Sequence, residues 1–207
     1  MSLILVIIVG YLLGSLPFSF WLGRLKGVDL TRVGSGNIGA TNLARALGAK
    51  WGLLAFVLDS GKGLLAVLLA GYISTFFAEN LVSVPMLKII GGTASILGHT
   101  WSMWLKFKGG KGVATSLGVF IGLAPVTSLI VLGVWVAVFV SFGYVSLASI
   151  IASISMPLLM WAGIGGKVAL PIIIFSCIVT ILIIIRHRSN IKRLIQGKEN
   201  KFRRRFK

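Results

Sequence analysis

The sequence predicts an all-α integral membrane protein: a seven-transmembrane-helix bundle with the N-terminus outside and the C-terminus cytoplasmic. Three observations carry that expectation. Of 207 residues, 57% are hydrophobic and only 12% are charged, where a soluble domain carries about 25% charged residues. A soluble core of this size could not hide so much apolar surface. The apolar residues fall in runs long enough for helices to cross the hydrocarbon, which takes about 20 residues. The positive charge, 21 Lys and Arg against four acids, is gathered between certain runs and after the last.

Taken in order, the first span covers residues 3–22 and is kinked or packed near Pro17. It lacks a basic segment before the apolar run and a small-residue cleavage site, and so reads as an uncleaved span. A polar, glycine-rich stretch follows, from Arg24 to Lys50. Span two covers 51–77 and is interrupted by Asp59 and Lys62. Span three covers 84–105, where Gly91, Gly92 and Gly98 suit close helix contact. A short basic loop, KFKGGKG, precedes a long apolar stretch over 113–140. Spans over 145–161 and 168–185 come next, and residues 186–207 form a basic cytoplasmic tail. The whole of 1–207 is read as one membrane domain.

Charge decides the count. Eighteen of the 21 basic residues lie in the first loop, the second basic loop and the tail. Two crossings put the first two loops on one side. If 113–140 turns near Pro125 and crosses back, as spans 113–124 and 126–140, the tail joins them, as cationic loops on the cytoplasmic side require. The first of these pieces would be about 18 Å long at 1.5 Å per residue, a half-helix buried in protein. The alternative is one long tilted helix and six spans.

The same composition excludes several functions. Cys177 is the only cysteine, so no internal disulfide forms. Four scattered acids and two histidines make no metal cage, and no cofactor is expected. In a soluble chain a net charge of +17 would suggest nucleic acid. In a membrane chain it suggests the anionic phospholipid bilayer or a phosphate-bearing substrate, and no nucleic acid.

Five patterns could carry chemistry. In GSGNIGATNLAR, Gly34 to Arg45, the G-x-G-x-x-G spacing lacks the strand and βαβ unit that a dinucleotide site needs. Glycines here instead let successive N–H groups turn inward as an anion nest, with Ser35, Thr41 and Asn42 as further donors. Thr41 or Asn42 would cap a short helix, and Arg45, one turn on, would reach the same anion. In FKGGKGVATS, Gly109, Gly110 and Gly112 bracket Lys111 at a helix start, with Thr115 and Ser116 beside it. In RHRSNIKR, His187 and Asn190 are three apart and share a helix face. Asp59 and Lys62 lie within a span, where ionisable groups are expensive and usually paired. His99 follows Gly98, but Trp104 stands where an H-x-x-x-x-D acyltransferase has its aspartate. Parity brings the first loop, the glycine loop, the Tyr144-Val145-Ser146 turn and the tail to one face, as befits a phosphorylated substrate at the membrane surface.

GSGN-I-GATN, the D-x-x-KG of span two, GH…FKGGKGVAT, Y-V-S-L-A-S and RH…NI-x-R occur in that order with matching separations. Over nearly its whole length the chain resembles the bacterial acyl-phosphate-dependent glycerol-3-phosphate acyltransferases, the PlsY family, with Ser102 where that family usually has proline. The resemblance implies a seven-helix protein of the bacterial inner membrane with its active site facing the cytoplasm. It implies transfer of a fatty acyl group from acyl phosphate to the 1-hydroxyl of glycerol 3-phosphate, giving lysophosphatidic acid and phosphate as the first acylation of phospholipid synthesis. A soluble acyl-phosphate-forming enzyme is the implied partner.

The expected site follows. His187, Lys111, Asn190 and Ser35 serve the chemistry. Gly34, Gly36, Asn37, Gly39, Thr41, Asn42, Arg45, Gly109, Gly110 and Ser146 bind substrate. The loop over 34–42 would cradle the acyl-phosphate group. By resemblance, Arg45, Lys111, Ser146 and Asn190 would hold the phosphate of glycerol 3-phosphate, and His187 would orient the glycerol or stabilise the oxyanion. No Ser-His-Asp or Cys-His pattern is visible, so a covalent acyl-enzyme is not expected. Either a substrate phosphate oxygen or His187 accepts the hydroxyl proton. The rival function is a membrane transporter for an organic phosphate, which predicts internal repeats that are not seen.

Overall fold

The computed structural model describes residues 1–77 and 82–202. Glu79 and the tail cations Arg203, Arg204, Arg205 and Lys207 lie outside the described residues. The described chain is helical, with no strand. In order come α1 (Ser2–Ser15), α2 (Phe18–Leu25), α3 (Ala40–Leu47), α4 (Ala49–Ser74), α5 (Val84–Thr100), a 3-10 turn (Met103–Leu105), α6 (Val113–Leu123), α7 (Pro125–Phe142), α8 (Val145–Trp161), α9 (Leu170–Arg186) and α10 (Arg188–Ile195).

Prolines set two of the breaks. Leu16 precedes Pro17 and leaves the helical region, at φ −59° and ψ 114°, because the following ring disfavours it there. Ala124 precedes Pro125 and stands at φ −149°, ψ 73°. The stretch 113–140 therefore forms two helices and not one. Among the described residues, Ser2–Leu25, Ala49–Ser74 and Pro125–Phe142 are long and apolar enough to cross a bilayer. Leu170–Arg186 with Arg188–Ile195, bent by 60°, adds a fourth if the bent pair is one broken span. Val113–Leu123 and Val145–Trp161 are shorter apolar helices. Leu53, Leu68, Leu129, Ile178 and Ile181 point outward, as hydrocarbon solvent allows.

The chain divides into two compact units, Met1–Leu123 and Ala124–Lys207. In the first, α1 packs on α5, and α4 packs on α5 and α6. Lipid gives helices no hydrophobic reason to associate, so close backbone approach must do it. A Cβ on Gly14 would strike the Ser95 carbonyl, and one on Gly98 the Tyr11 carbonyl. Between α4 and α6, Gly63 and Gly118 abut the carbonyls of Thr115 and Ser60 in the same way. Ser102, 1% exposed, donates to the Ser15 carbonyl at 2.6 Å. Tyr11 Oη donates to the Trp101 carbonyl at 2.9 Å. These bonds tie the end of α5 to α1 where the family resemblance leads one to expect proline. Leu30, Leu43 and Ala55, all fully buried, clamp α3 and the preceding loop onto α4.

In the second unit, Trp135 Nε1 donates to Ser149 Oγ at 3.1 Å, joining α7 to α8. Thr180 Oγ1 donates to the Ser153 carbonyl at 2.6 Å, joining α9 to α8. The tail returns past α10, where the Phe202 amide donates to the Gly143 carbonyl at 2.8 Å.

Candidate active site

The candidates divide between the units. The first holds Gly34, Ser35, Gly36, Asn37, Gly39, Thr41, Asn42, Arg45, Gly109, Gly110 and Lys111. The second holds Ser146, His187 and Asn190.

In the loop before α3, Gly34 and Gly36 take φ +60° and +68°, which other residues adopt only at a cost. Asn42 is the staple that shapes it. Its Oδ1 accepts the Ser35 amide at 3.1 Å. Its Nδ2 donates to the carbonyls of Leu30 at 3.1 Å and Val33 at 2.9 Å. A Cβ on Gly34 would collide with Asn42 Oδ1. The Gly36 amide is taken by the Val33 carbonyl at 3.0 Å, and the Asn37 amide reaches Ser35 Oγ at 3.4 Å. The expected nest is thus revised, because the amides of residues 35–37 close the loop on itself. The expected cap is corrected as well. Gly39 is the N-cap of α3, with no side-chain cap bond, since the Asn42 amide group is drawn back into the loop and Thr41 lies inside the first turn. The Asn42 and Leu43 amides are taken by the Gly39 carbonyl at 3.0 and 3.2 Å, so the donors that the start of α3 offers at this end of the loop are the amides of its first two residues, Ala40 and Thr41. Arg45 follows in the last turn of α3, half-buried.

Lys111 is set by backbone. The Gly109 amide donates to the Thr100 carbonyl at 3.0 Å and the Gly110 amide to the His99 carbonyl at 3.1 Å. Both carbonyls belong to the last turn of α5 and would otherwise lack partners. Gly112, at φ +85°, then turns the chain into α6. Lys111 stands half-buried between the two helix ends. Thr115 and Ser116, which the sequence sets beside it at the helix start, are 0% and 3% exposed and lie within the packing.

Beneath this loop, Lys62 Nζ lies 2.8 Å from Asp59 Oδ1 and donates to the Leu16 carbonyl at 2.7 Å, an acceptor freed by the α1–α2 break. Asp59 also receives Ser19 Oγ at 3.3 Å and faces His99 Nδ1 at 3.7 Å.

In the second unit, His187 ends α9 and is 3% exposed. Its Nδ1 lies 2.8 Å from the Ile183 carbonyl. A carbonyl can only accept, so Nδ1 carries a proton and donates it there, with Nε2 on the opposite side of the ring. Ser146 Oγ and Asn190 Nδ2 both donate to Glu199 Oε1, at 2.8 and 2.7 Å. Arg193 Nε donates to Oε2 at 2.7 Å.

Three comparisons read onto this geometry. The profile of the family described as glycerol-3-phosphate acyltransferase matches residues 4–197. The chain belongs to the glycerol-3-phosphate acyltransferase family. It is 45% identical over 204 residues to the glycerol-3-phosphate acyltransferase of Desulforudis audaxviator, covering 98% of this chain and 96% of the relative. It is 44% identical over 202 residues to that of Aquifex aeolicus, covering 98% and 100%. Among solved structures it resembles PlsY, an integral membrane glycerol 3-phosphate acyltransferase, in its glycerol 3-phosphate form, with TM-score 0.86 and 42% identity over 98% of this chain and 96% of that one. The lysophosphatidic acid form of PlsY gives TM-score 0.84 at 41% identity, with the same coverage. The chain is therefore an acyltransferase of the PlsY type and a membrane protein, and the transporter reading is set aside.

Within this acyltransferase, sequence reasoning missed Glu199. The signal was there: it is the lone acid among the ten cations of the tail. Burial pushes its carboxyl up, but the bonds from Asn190, Arg193 and Ser146 outweigh that and hold it below the usual glutamate value. The anchoring it provides is complete above the ordinary glutamate pKa, near 4.3, and is lost as pH falls through the lowered folded value. Limited proteolysis after Lys198 and Lys201 is expected to stay slow at neutral pH and accelerate on acidification. Glu199→Gln is expected to be cut rapidly at every pH.

Proposed function

We propose that the chain transfers a fatty acyl group from acyl phosphate to the 1-hydroxyl of glycerol 3-phosphate, releasing lysophosphatidic acid and inorganic phosphate. The observation that carries the reading is the whole-chain likeness to a protein whose structures bear glycerol 3-phosphate in one form and its acylated product in the other. Acyl phosphate, a mixed anhydride, needs no further activation. The hydroxyl oxygen attacks the acyl carbon, the ester C–O bond forms, and the carbon–oxygen bond to phosphate breaks. The hydroxyl proton passes to a phosphate oxygen of a substrate, directly or through His187 Nε2. Positioning and charge stabilisation supply the rest.

In the first unit, the stapled loop and the start of α3, with Ser35 and Thr41, hold the donor's phosphate group. Arg45 and Lys111 bind the phosphate of glycerol 3-phosphate, and Lys111 offsets charge as the acyl carbon is attacked. In the second unit, Ser146 and Asn190 are ligands of the acceptor and Glu199 fixes their rotamers, while His187 orients the glycerol end. A soluble enzyme that makes acyl phosphate supplies the donor. The topology is seven membrane segments of the inner membrane, N-terminus outside, with the chemistry on the cytoplasmic side. The break at Pro125 and the distribution of cations support it. A cysteine placed at Lys198 should resist a membrane-impermeant thiol reagent in intact cells, and labelling from outside would overturn the count.

The donor is tested with purified protein and radiolabelled glycerol 3-phosphate. Lysophosphatidic acid should form with acyl phosphate and not with acyl-CoA; the reverse result would refute the proposal. His187→Gln separates the two proton routes. If a substrate phosphate takes the proton, turnover should fall by no more than about tenfold. A general base at His187 predicts a loss of roughly 10²–10⁴-fold.

A further inference from the structure

Asp59, Lys62 and His99 are a buried ionisable cluster to which the proposed transfer assigns no substrate contact. Two of the three have evident structural work. Lys62 joins Asp59 to the carbonyl left over by the α1–α2 break, at 2.8 and 2.7 Å. His99 is different, because its ring lies between the cluster and the glycine loop. On one side Nδ1 faces Asp59 Oδ1 at 3.7 Å. On the other side the ring abuts Gly110, where a Cβ would run into Nε2. The same residue's carbonyl accepts the Gly110 amide at 3.1 Å. Gly110 has no positive φ, so the requirement for glycine is steric: the imidazole occupies the place of a side chain. The next residue is Lys111.

We propose that His99, oriented by Asp59, is a positioning residue that sets the Gly109–Gly110 backbone and through it the aim of the Lys111 ammonium. The inference rests on the acyl transfer proposed above for its kinetic consequence, though not for its structural one. A cation misplaced by about 1 Å costs on the order of 10²-fold in rate. That makes a rigid, buried support for a lysine at a membrane surface worth its ionisable components. Ring and carbonyl of one residue grip the same glycine, so an error in the ring is passed to the loop without unfolding α5.

The test uses the full chain in lipid nanodiscs and two single variants, His99→Ala and Gly110→Ala, with their double. Each single variant should lower kcat/KM for glycerol 3-phosphate by about 10–100-fold, because a misaimed Lys111 loosens its hold on the substrate phosphate as well as slowing the transfer. The double should be no worse than either single, because His99→Ala vacates the space that the new methyl invades. Hydrogen exchange at the amides of 109–111 should rise in both singles. Additive losses, turnover within about twofold of the parent, or unchanged exchange at 109–111 would each overturn the proposal. If the parent itself releases no phosphate, the acyl-transfer reading fails, and the exchange measurement still judges the positioning geometry.

Discussion

Lys111→Ala is expected to abolish phosphate release while leaving the protein folded in detergent. The lysine side chain is half-buried and its backbone is held by bonds of its glycine neighbours to the end of α5. Truncation therefore removes a charge without opening a core. A preorganised cation or donor facing developing charge is worth about 10²–10³ in kcat, and in the proposed transfer Lys111 also binds a substrate phosphate, so the combined loss should bring turnover to background. Lys111→Arg is expected to recover little, because a planar fork differs from a compact ammonium in reach and geometry. The measurement is phosphate release at saturating substrates, beside a thermal unfolding curve. Activity within about tenfold of the parent would remove Lys111 from the site.

Lys62→Met is expected to have the largest effect on stability. It leaves the Asp59 carboxylate, 3% exposed, without its 2.8 Å partner, and it uncaps the Leu16 carbonyl at the α1–α2 break. Removing one member of a buried pair costs about 3–5 kcal/mol, mostly through the charge left behind. A sharply lowered Tm in detergent is the expected result. Pairing it with Asp59→Asn, which removes the orphaned charge, should restore part of the loss, and the coupling measured by the double-mutant cycle should be of the same order. A Tm for Lys62→Met within about 2 °C of the parent would show that the pair is dispensable.

What could be read in the chain beforehand follows what is local. Apolar runs, Pro17 and Pro125 are short-range signals, and they anticipate helices and the places where helices stop. The Asp59–Lys62 pair was legible because i,i+3 spacing puts both on one helix face. The ordered family motifs led to the acyltransferase reading. What escaped depends on contacts between distant residues. Asn42 was read as a ligand, but its amide is spent on Leu30, Val33 and Ser35, a choice set by how the loop closes over Leu43 and Ala55. Thr41 and Asn42 were offered as caps, while Gly39 ends the helix once Asn42 is committed elsewhere. Glu199 meets Ser146 across 53 residues, and His99 meets Asp59 across two helices. No periodicity encodes such pairs. The scarcity of acids in so cationic a chain was the available clue, since each carboxylate that is buried must find partners.

Direct transfer between two phosphate-bearing substrates is tested most simply by rapid-quench measurement of phosphate with each substrate alone and with both. Direct transfer predicts phosphate only when acyl phosphate and glycerol 3-phosphate are present together, in equal amount to the lysophosphatidic acid formed. A burst of phosphate equal to the enzyme with acyl phosphate alone, or no release with both, would contradict it.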